Sequence, residues 1–219
     1  MSYNISLKIQ PETHQRFIDL HHRLNSGDAS SLAKPLGENL ADIACEIIDQ
    51  VFGSIAKVSK SGDHESEKVI QQIVDTTRKY MPWSVSFFGN DRLVPMVNYL
   101  RDLTIEKEGQ FYVIYPIDYS LANELLSHVE KMKDGNNAYV SPALKAFTEV
   151  VDQGVTHLIR QPKKMLKFNV VVDKTLTGVI NVTTQLGYKR FDKLGKIYDA
   201  NSMSGYFDHF MVFLNNEAQ

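Results

Sequence analysis

From Pro162 to Tyr198 the chain keeps a single hydrophobic division for longer than in any other stretch. At about 100° per residue, Phe168, Val172, Leu176, Val179, Ile180, Leu186, Phe191, Leu194, Ile197 and Tyr198 fall in one half of a helical wheel. Lys167, Lys174, Asn181, Gln185, Lys189, Asp192, Lys193 and Lys196 fall in the other. The pattern predicts one long amphipathic helix, about residues 162–198, at the centre of a mainly α, bundle-like domain. A rival reading comes from propensity. Ten of the fifteen residues from Val170 to Thr184 are Val, Ile or Thr, and Gly178 sits among them, which favours an α+β chain with a hairpin at about 168–185. The two differ in consequence: as one helix, Lys164 and Lys196 stand about 48 Å apart, too far to grip one small ligand, whereas a hairpin brings the basic ends together.

The remaining chain supplies neighbours for that helix. Tyr3, Ile5, Leu7 and Ile9 alternate with polar residues, as a half-buried strand does over about 3–9, and Phe111 to Ile117 is a second strand able to pair with it. Helices are expected from Pro11 to Leu24, from Leu36 to Val58 and through Val69–Thr77 to a stop at Met81-Pro82. Further helices are expected from Asp91 to Lys107, from a cap at Ser120 to Asp134-Gly135, from Ser141-Pro142 to Gln161, and from Gly205 to Leu214. The long second helix is the clearest, because Leu40, Ile43, Ala44, Ile47, Val51, Ile55 and Val58 recur at helical spacing. Its opposite face carries an acidic stripe, Glu38, Asp42, Glu46 and Asp49. Without a linker or an internal repeat, residues 1–219 are expected to form one helical domain.

Charge is distributed unevenly. Between Arg160 and Tyr198 nine Lys or Arg face only Asp173 and Asp192, a local balance of +7 within a chain of net charge −2, so the rest carries −9. That split points to an anionic partner near the long helix, or to the acidic stripe meeting it across an interface. No apolar run approaches a membrane span, and Met1 to Gln10 lacks a signal-peptide pattern, so a cytoplasmic location is expected. With Cys45 alone, no internal disulfide forms.

Recognisable catalytic patterns are missing. There is no HExxH, Gly-x-Ser-x-Gly or P-loop, and neither a zinc-finger spacing nor an RNA-binding signature. His14 and His21 are about 10.5 Å apart along a helix and cannot share a metal alone. Glu124 and His128 are four residues apart, and a site gathered from His128, His157 or other separated histidines is beyond the reach of one sequence; no metal and no cofactor is assigned.

Two readings of function follow. The first is a non-enzymatic cytoplasmic interaction or regulatory protein that binds an acidic protein or a phosphate-bearing partner. Its basic helix face would be Lys189, Lys193 and Lys196, with Lys163, Lys164 and Lys167 nearby. Tyr206, Phe207, Phe210 and Phe213 on the last helix would support a homodimer. The alternative is a helical bundle enclosing an apolar or mixed small molecule, with Asn169 and Asp173, one turn apart beside the apolar half of the wheel, lining the cavity as ligand-binding groups.

Overall fold

The computed structural model describes residues 2–53 and 64–217. Strand β1 (Ser2–Ile9) leads into helices α1 (Pro11–Asn25), α2 (Ala33–Phe52), α3 (His64–Val85) and α4 (Asn90–Asp102). A hairpin of β2 (Thr104–Lys107) and β3 (Gln110–Ile117) interrupts them. Next come α5 (Tyr119–Lys133), a 3-10 turn (Asn137–Tyr139), α6 (Val140–Val155), a π-turn (Thr156–Arg160), α7 (Gln161–Leu166), α8 (Val170–Ile197), α9 (Ala200–Met211) and β4 (Leu214–Glu217). The architecture is mainly α with a small antiparallel sheet, as the hydrophobic periods imply.

The sheet has strand order β2-β3-β1-β4. Its centre is the expected pair, with β1 and β3 in register from Tyr3↔Ile117 to Ile9↔Phe111. Alternation sends Ile5, Leu7 and Ile9, with Val113, Tyr115 and Ile117 opposite, to the buried face. Two further strands correct the sequence reading. The helix expected to reach Lys107 stops at Asp102, because Glu108 and Gly109 both take positive φ (54° and 70°) and turn Thr104–Lys107 back onto β3 as a two-residue hairpin. The last helix lies earlier than expected, opened by the Asp199 side chain accepting from Ser202 N at 2.8 Å, and this leaves Leu214–Glu217 to pair with β1.

The long helix is present but begins at Val170 rather than Pro162. Lys167 takes a left-handed conformation (φ 49°, ψ 61°) that ends α7. Asn169 then caps α8, its Oδ1 accepting from Val171 N at 3.1 Å and Val172 N at 3.0 Å. Val170–Thr184 is helical throughout, so the hairpin is not formed. Only Leu176, Gly187, Arg190, Phe191 and Leu194 of α8 are buried, and Ile197, expected inward, is exposed. The middle of the core falls instead on α6. Phe147 there is fully buried, with its ring 4.4 Å from Phe210 and 5.0 Å from Phe191, centroid to centroid. The aromatic residues of α9 are thus part of this core: Tyr206, Phe207 and Phe210 have no exposed surface, and they offer no face to a second copy.

Ile55 and Val58, expected to extend the face of α2, lie outside the described residues, as does the break at Lys60-Ser61-Gly62-Asp63. Pro82 does not stop its helix, which runs on to Val85. Neither serine caps where expected: Asp118 occupies the cap position of α5, and Ser141 lies inside α6 with its hydroxyl donating to the Gly195 carbonyl at 2.7 Å. The contact of α2 with α3 is set by Gly37, where an added Cβ would stand 2.6 Å from Pro82 Cα. Gly37→Ala must push the two helices apart, a loss of about 1–3 kcal/mol. In thermal unfolding it should lower Tm by about 2–4 °C per kcal/mol, and an unchanged Tm would refute this contact.

Candidate functional site

Pro162 follows directly from the helical run of α6 and has no N–H to continue the ladder. The helix responds with a wide turn, in which Gln161 N donates to the carbonyl of Thr156, five residues back. That shift leaves the His157 carbonyl without a helical donor, since Gln161 has gone to Thr156 and Pro162 cannot supply one. Tyr99 of α4 fills the role: its hydroxyl donates to the His157 carbonyl at 3.0 Å and lies 2.7 Å from Gln161 Oε1.

The turn also separates two kinds of side chain. On the outer side, Arg160 donates to Asp152 Oδ2 at 2.9 Å and to Thr156 Oγ1 at 2.9 Å, while Tyr188 of α8 donates to Asp152 Oδ1 at 2.7 Å. The Arg160 guanidinium holds the Asp152 carboxyl below its usual range, with help from Tyr188. Burial pushes the phenols of Tyr188 and Tyr115 up. On the inner side, Val155, Leu158 and Pro162 face an apolar space.

That space is a cavity of about 250 Å³ in the seam between two halves of the core. Tyr115 belongs to the half built by α5, α6 and α9, Val113 to the half built by α1, α2 and α4, and both line the cavity. Gly154 permits the approach of Tyr115, because a Cβ there would stand 2.8 Å from the phenol oxygen. Ile43, Ile47 and Ile48 of α2 form one wall, and Leu176, Val179 and Ile180 of α8 another. Thr77 of α3 and Thr184 of α8 also line it, but their hydroxyls donate to the Ile73 and Ile180 carbonyls of their own helices, each at 2.9 Å. Among the described residues that line it, Lys163 alone carries a charge. Its side chain is 14 % exposed, and its ammonium donates to Asp173 Oδ1 at 2.5 Å and Thr177 Oγ1 at 2.9 Å.

Several residues singled out in the sequence have other positions. Asn169 is the cap of α8 and Asp173 the counter-ion of Lys163; neither lines the cavity. Of the lysine face, Lys193 pairs with Glu65 at 2.7 Å and Lys196 with Asp192 at 2.6 Å. Lys164, Lys167 and Lys189 are exposed and make no ion pair among the described residues. The acidic stripe meets other cations, Asp42 binding Arg16 at 3.0 Å and Arg78 at 2.9 Å, and Glu46 accepts from Thr13 and from Gln10 N. His128 lies 3.5 Å from Glu124, and His157 sits by Tyr99 and Tyr115. His14 stacks on Phe111 with ring centroids 3.9 Å apart, and burial lowers its basicity. Among the described residues no three His, Cys, Asp or Glu side chains gather as a metal site. Cys45 is buried and its thiol is pushed up by that burial, the setting of an unreactive thiol.

No known family model, no curated protein and no solved structure matches this chain. Two variants test the local construction. Tyr99→Phe strands a half-buried carbonyl and should lower stability by about 1–2 kcal/mol. Asp152→Asn should cost about 1 kcal/mol or less, since the carboxylate is partly screened by solvent. Because the native carboxyl titrates below its ordinary 3.8, that stabilisation is complete above pH 3.8 and fades as pH falls through the lowered native value. Urea unfolding of wild type and Asp152→Asn should therefore differ at neutral pH and converge in acid; a gap that persists unchanged at the lowest pH would refute the pairing.

Proposed function

We propose that this chain is a binding protein for an apolar small molecule held in the cavity between α2, α3 and α8. The observation that carries the reading is the cavity's size together with its apolar wall. An apolar molecule that fills this space of about 250 Å³ takes its apolar wall out of water, which is favourable by about 25 cal/mol per Å² covered. Water is a poor occupant, because a buried water needs two to four polar partners and the wall is mostly apolar, with the Thr77 and Thr184 hydroxyls on it donating to carbonyls of their own helices. A cavity of about 150 Å³ suits benzene, so this one fits an apolar molecule of roughly ten heavy atoms.

The wall favours binding over chemistry. Lys163 is the only charged group described there, and it is neutralised by Asp173. The other reading, a lysine face for an acidic or phosphate-bearing partner, has less support along α8, where Glu65 and Asp192 take up Lys193 and Lys196.

Titration with an environment-sensitive apolar dye, displaced by small hydrocarbons and alcohols, tests the reading. Ala44→Phe places a ring in the cavity; it should keep or raise Tm while weakening dye binding at least tenfold. In a filled core the same change is overpacking and lowers stability by about 1–3 kcal/mol. No dye binding by the wild type, together with a destabilised Ala44→Phe, would overturn the proposal.

A further inference from the structure

The corner between α7 and α8, residues 164–174, carries both exposed apolar side chains and exposed lysines. Val170 and Val171 are 69 % and 74 % exposed in the first turn of α8, and Met165 is 39 % exposed in the last turn of α7. Lys164, Lys167 and Lys174 flank them in the chain, all exposed and without an ion pair among the described residues. Elsewhere in the same basic stretch the cations other than Lys189 are engaged: Arg160 by Asp152, Lys163 by Asp173, Arg190 and Lys193 by Glu65, Lys196 by Asp192. The one acid of the corner, Asp173, is held by Lys163, so the three other lysines there have no counter-ion among the described residues. Phe87, 48 % exposed, stands next in the chain to Phe88, whose ring packs on Phe168 of the corner at 4.8 Å.

From these observations we infer that the corner docks on an anionic lipid bilayer. Val170, Val171 and Met165 enter the interfacial layer while Lys164, Lys167 and Lys174 meet the acidic headgroups. A second copy of the chain or a folded acidic protein fits less well, since a stable protein interface takes roughly 20–30 residues a side and the corner offers eleven. The docking stands on these surface residues alone. Its use as a loading port rests on the cavity reading: Leu166 and Phe168, between the two exposed groups, line the cavity.

Co-sedimentation of the full chain with vesicles tests the docking, comparing pure phosphatidylcholine with a mixture holding about one-third phosphatidylserine. The chain should partition onto the anionic vesicles, stay in solution with the neutral ones, and dissociate as salt rises. Lys164→Gln, Lys167→Gln and Lys174→Gln together should weaken partitioning on the order of 100-fold, at about 1 kcal/mol per lysine. Val170→Asp with Val171→Asp should abolish it with the circular dichroism spectrum unchanged, because carboxylates in the first turn of a helix are favoured by its dipole. Absence of the wild type from the anionic pellet, or equal sedimentation of the Asp variant, would overturn the inference. So would a concentration-dependent dimer that the Asp variant loses while vesicles fail to bind, which would give the corner to a second copy. Dye binding on the same samples reports the cavity separately: a chain that takes up dye but ignores vesicles sinks the docking alone, and one that sediments without taking up dye sinks the cavity alone.

Discussion

A proline without an N–H, set sixteen residues beyond the fully buried Ala146, governs how the second half of the chain is laid out. Pro162 cannot extend the helical ladder, and the wide turn before it displaces every later residue from the phase that a continuous α-helix would give. Asp152, Thr156 and Arg160 are thereby gathered on one side with Tyr188, while Val155, Leu158 and Pro162 are left on the cavity side. The stranded His157 carbonyl recruits Tyr99, which ties α4 to the turn. Lys163 comes next, close enough to both the cavity and α8 for its ammonium to reach Asp173 and Thr177. One missing donor thus sets the wall of the cavity and its charge.

The cavity exists where the two halves of the core fail to merge. β3 contributes successive inward residues to different halves, Val113 to one and Tyr115 to the other, and the gap opens between them. Partial bridging comes from Ile47 and Leu158, which pack against both halves and also line the gap. Close packing at Gly37–Pro82 and Gly154–Tyr115 draws the surrounding elements as near as backbone permits. The space that survives these approaches is therefore not a matter of loose packing at its margins.

Periodicity made the large elements legible. The paired strands of β1 and β3, the apolar face of α2 and the inward face of α6 all follow from spacing at two or at three to four residues. What stayed hidden depended on local exceptions. Thr104–Lys107 joins the sheet because Glu108 and Gly109 accept positive φ, a turn that a helix-ending Gly also announces. Lys167 breaks the long amphipathic stretch in a left-handed conformation that its residue type does not advertise. At the site, Asn169 and Asp173 are polar residues beside an apolar face in sequence, and a cap and an ion pair account for both. In sequence Lys163 falls among the surface lysines, since spacing along one chain does not place an ammonium against a cavity formed by several helices. The helix-interior Pro162 was the available signal, and it read as a boundary between helices, which locates the disturbance without its shape.

The first half of α8 is where composition and conformation disagree most. Val, Ile and Thr cost up to about 0.7 kcal/mol each relative to Ala in a helix, and Gly178 costs about 1 kcal/mol, so Val170–Thr184 carries a burden of several kcal/mol. Leu176 is its only buried residue, against Phe191, Leu194 and Arg190 in the second half. What favours the helix is the Asn169 cap, the bridge from Lys163 to Asp173 and Thr177, and the partial burial of Val179 and Ile180 over the cavity. A segment held so sparsely sits at the low end of local stability, where opening is cheapest. Its stiff β-branched side chains form a wall that loses little rotamer freedom when something packs against it. On the cavity reading proposed above, an apolar molecule packed there would stabilise this sparsely held helix, and its binding and the ordering of α8 would be linked in free energy.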